Sequence, residues 1–283
     1  MKYVAVFLLS VMLMGYTSNS SSAAVKSQTH SVSSVQSHAK EVFLETSLYQ
    51  SITKFKKTVS QSKIIWKGKD ITLTANKIKL DHVATFEQNV ITTMVITNGS
   101  KKYTIPFDES DERPLDISSV SLAPSHTFLA VHVNHSAGYY LLLVDLKTGK
   151  STMLNDRLKA EGKGFIETIS AYNWSPKENK IAFAYGDTSK KSIAIYNVNN
   201  DTFFYLPRET NYISTALVLW HKNGEILDFI CEYPSDQWKL YRYSTNSKKV
   251  KTIKSINREE LSKLFPVIVA NPPFASRTSN KHL

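Results

Sequence analysis

An internal repeat limits what this chain can fold into more than any other feature of its sequence. Three apolar blocks recur at one offset of 52 residues, without a gap. The recurring pairs are 122–124 with 174–176, 129–131 with 181–183, and 143–146 with 195–198. A third copy begins at Trp220 and follows the second at an offset of 45–46 residues. Each copy therefore encodes one structural unit of similar design.

Each copy contains short strand-like segments separated by polar turns. Turns such as Lys147-Thr148-Gly149 and Asn199-Asn200-Asp201 follow apolar runs at similar positions. About 45 residues with four strand-sized segments is the spacing of a propeller blade. The sequence predicts an all-β, β-propeller-like fold with about four blades. The segment Lys63–Phe107 is the degenerate first blade, with a hairpin at Asn98-Gly99. A partial propeller and a sandwich of similar strands remain alternatives.

The middle copy carries a resemblance to a known family. Residues 174–183 read W-S-P-K-E-N-K-I-A-F, which resembles the W-S-P-D-G-x-x-I-A-F signature of TolB-like β-propeller repeats. The resemblance covers about residues 116–253, and Glu178-Asn179 stands where the signature has Asp-Gly. It implies a protein that contacts other proteins through blade loops or the opening of the central channel.

Residues 1–24 have the pattern of a signal peptide. A lysine at position 2 precedes the apolar run Tyr3–Met14, and Ser22-Ala23-Ala24 supplies the small residues that a signal peptidase reads. We expect cleavage after Ala24 and no integral membrane span thereafter; an uncleaved single-pass anchor is the alternative. The predicted location is extracytoplasmic, either secreted or associated with the cell envelope.

The export signal also resembles a bacterial lipoprotein box that has lost its lipidation site. The segment Leu13-Met14-Gly15 is followed by Tyr16, where the box requires Cys. Without that thiol no lipid can be attached, so weaker contacts would have to hold the chain at an envelope. Residues 25–37 form a Ser/Thr-rich linker, which cannot bury enough apolar area to fold.

The remaining segments frame the predicted domain of residues 63–270. Apolar residues recur at near-helical spacing through residues 38–62, which predicts a helical segment packed on the main domain. A short C-terminal helix is expected after Asn257, since Glu260 three residues later completes a capping box. Pro266–Ala270 is a candidate edge strand, and residues 271–283 form a polar tail.

Charge and cysteine content restrict the class of partner. The formal net charge is +11, and 29 of the 35 basic residues are Lys. Because Arg is the residue that makes bidentate contacts to phosphates and bases, a Lys-rich exported chain is not expected to bind nucleic acid. We expect another envelope protein or an anionic wall polymer as partner. The single cysteine, Cys231, excludes a disulfide within the chain and is predicted to be buried and inert.

Motifs for catalysis, metals and cofactors are weak, and the sequence predicts none of them. His132 and His135 are three residues apart, which on a strand directs them to opposite faces. The acidic run Asp108–Glu112 lacks the glycine of a calcium loop. An enzyme would bring two carboxylates, or a histidine and a carboxylate, into one cleft. The candidates for such a pair are Asp81, His82, Asp145 and Asp228.

Aromatic and basic residues in predicted hairpins are the candidate binding residues. Aromatic side chains dominate the energetics of many interfaces, although the same residues also pack across strands within blades. The candidates are Trp238, Tyr139, Tyr140, Lys190, Lys191, Phe203 and Phe204. We therefore predict an exported binding or scaffold protein that is not an enzyme. An exported hydrolase or lyase on a propeller is the alternative, since the fold hosts both.

Overall fold

Four antiparallel sheets follow one another along the chain. The computed structural model describes residues 46–51, 53–80, 88–107, 113–187 and 189–262. All of them lie in the compact unit Leu44–Leu283. In each sheet the strands are hydrogen-bonded in chain order, so every sheet is a simple meander. The predicted all-β, propeller-like fold with four blades is confirmed by this arrangement. The segments predicted as signal peptide, linker and polar tail lie outside the described residues.

The first blade-like unit, sheet 1, has five strands. They are β1 (Lys56–Val59), β2 (Lys63–Lys67), β3 (Ile71–Leu80), β4 (Gln88–Asn98) and β5 (Lys101–Pro106). The predicted hairpin is present, but Asn98 pairs with Lys101, so its turn residues are Gly99 and Ser100, one position later than the predicted Asn98-Gly99. Gly99 has φ +57°, a left-handed conformation that costs little without a Cβ atom.

Sheets 2, 3 and 4 correspond to the three sequence copies. Sheet 2 contains β6 (Asp116–Leu122), β7 (Phe128–Asn134), β8 (Tyr139–Asp145) and β9 (Ser151–Met153), followed by helix α1 (Leu154–Ala160). Sheet 3 contains β10 (Thr168–Trp174), β11 (Lys180–Gly186), β12 (Lys191–Asn197) and β13 (Thr202–Tyr205). Sheet 4 contains β14 (Ser214–Trp220), β15 (Ile226–Glu232), β16 (Trp238–Ser244) and β17 (Lys249–Ile256). The insertion of α1 explains why the first repeat is longer than the second.

The first strands of sheets 2, 3 and 4 share a β-bulge. The pairing with the second strand shifts by one residue, and the extra residues are Ser118, Ser170 and Ala216. They occur at the spacing of the sequence repeat, so the repeat encodes the bulge as well as the strands. A bulge bends its strand and redirects side chains, which is why bulges often border functional sites.

Apolar layers join each sheet to the next one. One buried cluster spans sheets 1 and 2, a second spans sheets 2 and 3 with α1, and a third spans sheets 3 and 4. A fourth cluster lies on the opposite face of sheet 4 and includes Tyr49 and Leu261. Among the described residues no cluster contains both sheet 1 and sheet 4.

The segment predicted as an N-terminal helix differs in its described part. A single 3-10 turn occupies Thr46–Leu48, and residues 56–59 form strand β1 instead of helix. Tyr49 forms an isolated antiparallel bridge with His221, and the amide of Gln50 donates to the carbonyl of Trp220 at 2.9 Å. The helical periodicity misled because Tyr49 and Phe55 are buried in the clusters of the sheets and not on one face of a helix.

The C-terminal helix begins as predicted. Residues 258–262 are helical. The Glu260 amide donates to Asn257 Oδ1 at 2.8 Å, and the Asn257 amide donates to Glu260 Oε2 at 3.0 Å, which is the reciprocal capping box. The candidate edge strand 266–270 lies outside the described residues. Within those residues, none of the helices has the length and apolar composition that a membrane span requires.

Candidate functional site

The structure has one concave region among the first strands of three sheets and another between two neighbouring sheets. The inner cavity has a volume of about 100 Å³ and is bordered by β6, β10 and β14, the first strands of sheets 2, 3 and 4. Gln50, Ser51 and Thr53 complete its wall. The second region, the inter-sheet groove, has a volume of about 430 Å³ and lies between sheets 3 and 4.

Hydrogen bonds between sheets 2 and 3 fix the polar wall of the inner cavity. Ser119 Oγ and Tyr172 Oη share a hydrogen bond of 2.9 Å. Trp174 Nε1 donates to Ser121 Oγ at 3.1 Å. These contacts between first strands hold serine and aromatic side chains at the cavity, where the sequence repeat alone suggested only packing.

His132 borders the same cavity as a neutral imidazole. Its Nε2–H donates to the Ile169 carbonyl at 2.6 Å, and its ring stacks on Tyr139 with centroids 5.0 Å apart. Burial lowers the pKa of His132 to about 4, although the hydrogen bond to Ile169 opposes this shift. Because Nε2 carries the proton, Nδ1 remains an acceptor.

Substitution of His132 is expected to change how stability depends on pH. In the folded protein the histidine titrates at about 4, whereas in the unfolded chain its pKa is about 6.5. Between these two values the unfolded state binds more protons than the folded state. The free energy of unfolding therefore falls as the pH drops from about 6.5 towards 4, by up to about 1.4 kcal/mol per pH unit.

Urea unfolding of the wild type and His132→Gln between pH 4 and 8 measures this effect. Glutamine retains a donor for the Ile169 carbonyl but does not titrate, so the fall in stability below pH 6.5 should become shallower in the variant. Equal slopes for the two proteins would contradict a buried neutral histidine.

Two buried polar atoms at the inner cavity have no hydrogen-bond partner among the described residues. They are Ser170 Oγ, at the bulge of β10, and Asn173 Oδ1, in a residue that is 4% exposed. Buried polar groups are normally paired, so such atoms indicate a place where water or a small polar molecule binds. The sequence analysis missed both residues, since a serine and an asparagine in a strand carry no motif.

Aromatic side chains line one part of the inter-sheet groove. Phe203 and Phe204 come from β13, the last strand of sheet 3, and Tyr243 comes from sheet 4. Phe204 is 39% exposed and its ring lies 5.8 Å from that of Tyr243. The polar lining includes Lys180, Asn197, Thr202 and Lys248. The groove thus combines exposed aromatic area with side chains that can donate or accept hydrogen bonds.

Trp220 gives the groove a polar group without a partner. The side chain is 2% exposed and lines the groove, yet its Nε1–H has no acceptor among the described residues. Tryptophan N–H groups usually find a partner when they are buried. The sequence placed Trp220 at the start of the third repeat and gave no sign of this role.

Of the acid–base candidates that lie in the described residues, Asp228 and Asp145, only Asp228 is placed beside a histidine. It is fully buried, and its Oδ2 accepts from His221 Nε2 at 2.9 Å and from Tyr49 Oη at 2.8 Å. Arg242 donates to both carboxylate oxygens at 2.8 Å. Neither Asp228 nor His221 borders the inner cavity or the groove. This network, the Asp228 network, connects the Tyr49 segment to sheet 4.

Asp145, the other acid–base candidate among the described residues, does not contact Asp228. Asp145 caps a turn, where it accepts from the Lys147 amide at 2.7 Å and the Thr148 hydroxyl at 2.9 Å. Asp81 and His82 lie outside the described residues, as does the acidic run 108–112. Within the part of the chain that the structure describes, no three His, Cys, Asp or Glu side chains group as metal ligands.

The two histidines of sheet 2 contact different aromatic rings. His132 stacks on Tyr139, whereas the ring of His135 lies 4.1 Å from that of Tyr140. Cys231 is buried and its pKa is raised by burial, consistent with an inert thiol.

The candidate binding residues separate into packed and exposed groups. Of the five aromatics only Phe204 is exposed; Trp238, Tyr139, Tyr140 and Phe203 are partly buried. Partial burial favours packing across strands, the alternative to a binding role, for the other four aromatics. Lys190 is exposed, whereas Lys191 is 5% exposed and burial lowers its pKa, opposed by the charges of Glu167 and Asp187. Only Phe203 and Phe204 border the groove.

Comparisons with known proteins place the chain among solved structures only. No family model and no curated protein matches the sequence. The chain is similar to puromycin hydrolase, at 13% identity over 74% of this chain and 30% of that one, with a TM-score of 0.40. It is similar to TolB from Agrobacterium tumefaciens, at 10% identity over 75% and 82% of the two chains, with a TM-score of 0.38. It is also similar to TolB from Acinetobacter baumannii, at 12% identity over 69% of this chain and 53% of that one, with a TM-score of 0.35.

The fold class of this protein follows from the arrangement of its four sheets. Four consecutive antiparallel meanders, joined by apolar layers between neighbours, form an all-β, propeller-like protein. Because the chain spans 30% of puromycin hydrolase, activities of that longer protein are not assigned to it.

Proposed function

We propose that this chain is an exported binding protein that holds an extended segment of a partner protein in the inter-sheet groove. The observation that carries the proposal is the Trp220 Nε1–H, buried at the groove without an acceptor among the described residues. A peptide carbonyl from an occupant would supply that acceptor. The sequence pattern of residues 1–24 supports export, and so an extracytoplasmic or envelope-associated location.

The shape and lining of the groove suit a peptide. Phe204 offers an exposed aromatic surface beside Tyr243, against which an apolar side chain of the occupant would pack. Asn197 and Thr202 provide donors and acceptors for a peptide backbone. A few aromatic anchors surrounded by polar groups are the usual composition of a protein-binding site.

Binding is favoured over catalysis because of where the histidine–carboxylate pair lies. A catalytic pair must reach substrate in a cleft, whereas every Asp228 oxygen is already bonded and the carboxylate is fully buried. The proposed role of the Asp228 network is therefore structural. The hydrolase or lyase alternative would require acid–base groups other than this pair.

Replacing Phe204 by alanine is expected to weaken peptide binding by about tenfold or more, as for an aromatic anchor at an interface. Random peptides displayed on phage would be selected on the full chain. Enriched sequences would then be synthesised and titrated calorimetrically against each variant. Phe165→Ala is the matched control, because Phe165 is 74% exposed and lies outside the groove. Peptides that bind both variants equally, or the absence of enriched peptides, would contradict the proposal.

A further inference from the structure

Sheet 1 has a charge composition unlike that of an ordinary mixed surface. Its five strands contain eight lysines and not one Asp or Glu. Lysines on scattered hairpins protect sheet edges and keep a protein soluble. Sheet 1 goes beyond this ordinary use of lysine, because no carboxylate within its strands offsets their positive charge.

The strand register places three of these lysines in one row on one face. Lys56 pairs with Lys67, Lys67 with Thr72, Thr72 with Thr97, and Thr97 with Lys102. Residues directly opposite each other in a ladder lie on the same face of the sheet. The neighbouring row, which includes Trp66, Leu73 and Ile96, is buried against sheet 2, so the lysine row lies on the outer face.

Hydroxyl and amide groups, interrupted by Ile65 and Val95, lie between the lysines on the outer face. A second row pairs Lys63 with Asn76 and Asn76 with Thr93, and Asn76 Nδ2 donates to Thr93 Oγ1 at 2.9 Å. At ideal strand spacing, three strand intervals separate Lys67 from Lys102 by roughly 14 Å. The outer face is therefore a band of donors with positive charges at both sides.

The lysines of the outer face have no ion pairs within the described residues. Lys56, Lys63, Lys67 and Lys102 are all exposed. Lys57, which points to the other face, shows the contrast: its Nζ lies 2.8 Å from Asp116 and it also donates to the Ile117 carbonyl. Four ammonium groups on one face are thus available to an external anion.

We propose that the outer face of sheet 1 binds a linear polyanion that carries repeated phosphate groups, such as a phosphodiester polymer of a cell envelope. Lysine is a compact point charge that suits phosphate, and threonine hydroxyls and the Asn76 amide donate hydrogen bonds to phosphate oxygens. A polymer engages several separated lysines at once, which a single small anion cannot do. This surface is separate from the inter-sheet groove and does not depend on the proposed function.

A lipid surface is the less suitable occupant. Membrane-surface binding needs exposed apolar side chains that enter the interface as well as positive charge. On the outer face Ile65 and Val95 are half-buried between threonines. The exposed Val59 pairs with the buried Ile64 and so lies on the other face, which leaves Ile78, near the end of β3, as a single exposed apolar side chain on the described part of the outer face.

The test is titration of the full chain with long-chain inorganic polyphosphate at several salt concentrations. We expect the triple variant Lys56→Gln/Lys67→Gln/Lys102→Gln to bind at least about tenfold more weakly. Its log–log salt slope should fall by about one for each lysine that contacts phosphate. The matched control, Lys222→Gln/Lys249→Gln/Lys251→Gln, removes the same charge from exposed positions at sheet 4. Thermal unfolding checks that both variants are folded.

Three outcomes would overturn the proposal. The first is no polyphosphate binding by the wild type at low salt. In the second, the two triple variants weaken binding equally, which would show only a net-charge effect. In the third, vesicles of phosphatidylglycerol and phosphatidylcholine bind through these lysines while polyphosphate does not, which would assign the face to a membrane. Peptide binding at the groove is measured separately, and Phe204→Ala should leave polyphosphate affinity unchanged.

Discussion

Asp228→Ala is expected to destabilise the protein by about 3–5 kcal/mol, the usual cost of removing one partner from a buried ion pair. The carboxylate is fully buried, and Arg242 donates to both of its oxygens. The variant leaves the guanidinium without its counter-ion and leaves the buried His221 and Tyr49 without an acceptor. Chemical denaturation in urea at pH 7 measures the difference in the free energy of unfolding.

Two further variants separate this network from a general effect of losing a carboxylate. Asp145→Ala removes a turn-capping carboxylate that is half-exposed and should cost about 1 kcal/mol. Tyr49→Phe removes one hydrogen bond from the Asp228 network and should likewise cost about 1 kcal/mol. If Asp228→Ala costs no more than Asp145→Ala, the Asp228 network does not stabilise the fold.

The contribution of Asp228 also predicts a pH dependence. Burial alone raises the pKa of the Asp228 carboxyl, but its hydrogen bonds to Arg242 and His221 and the charge of Arg242 hold the pKa below its usual value. A lowered folded-state pKa stabilises the protein above the unfolded value of about 3.9, and the stabilisation is lost as pH falls through the folded pKa. The difference in stability between wild type and Asp228→Ala should therefore shrink as the pH falls through the folded-state pKa of Asp228.

The fold could be predicted from the sequence because it depends on a local periodicity. Strand-length apolar runs and turn residues recur at a constant spacing, and the three copies became sheets 2, 3 and 4. The capping box at Asn257 is likewise a contact between residues three apart. Such features depend on neighbours in sequence, so they are visible before any tertiary structure is known.

The candidate sites were less predictable because they depend on contacts between distant residues. Asp228 meets Tyr49 across 179 positions, and nothing near either residue indicates that contact. Trp220 and Asn173 each hold a buried polar atom without a hydrogen-bond partner among the described residues, which a sequence does not display. The helical prediction failed at residues 56–59 for a similar reason, since sheet pairing overrode local preference at β1.

Trp66→Ala is expected to cost about 3–5 kcal/mol, as large-to-small substitutions of buried aromatics do. The indole is 0% exposed and belongs to the cluster that joins sheet 1 to sheet 2. Its Nε1–H has no hydrogen-bond partner among the described residues. Trp66→Phe therefore removes side-chain volume but no hydrogen bond, and it should destabilise the protein much less than Trp66→Ala does. Trp238→Ala, at a half-buried position in sheet 4, is the control for loss of a tryptophan.

The form of the unfolding curve carries as much information as its midpoint. Because one buried cluster contains residues of both sheet 1 and sheet 2, the two sheets should unfold together. Trp66→Ala should then lower the midpoint of a single transition and leave the urea m-value unchanged. A new early transition in the variant would mean that sheet 1 unfolds separately from the other three sheets. Its lysine-bearing outer face would then belong to a module that is only loosely coupled to the inter-sheet groove.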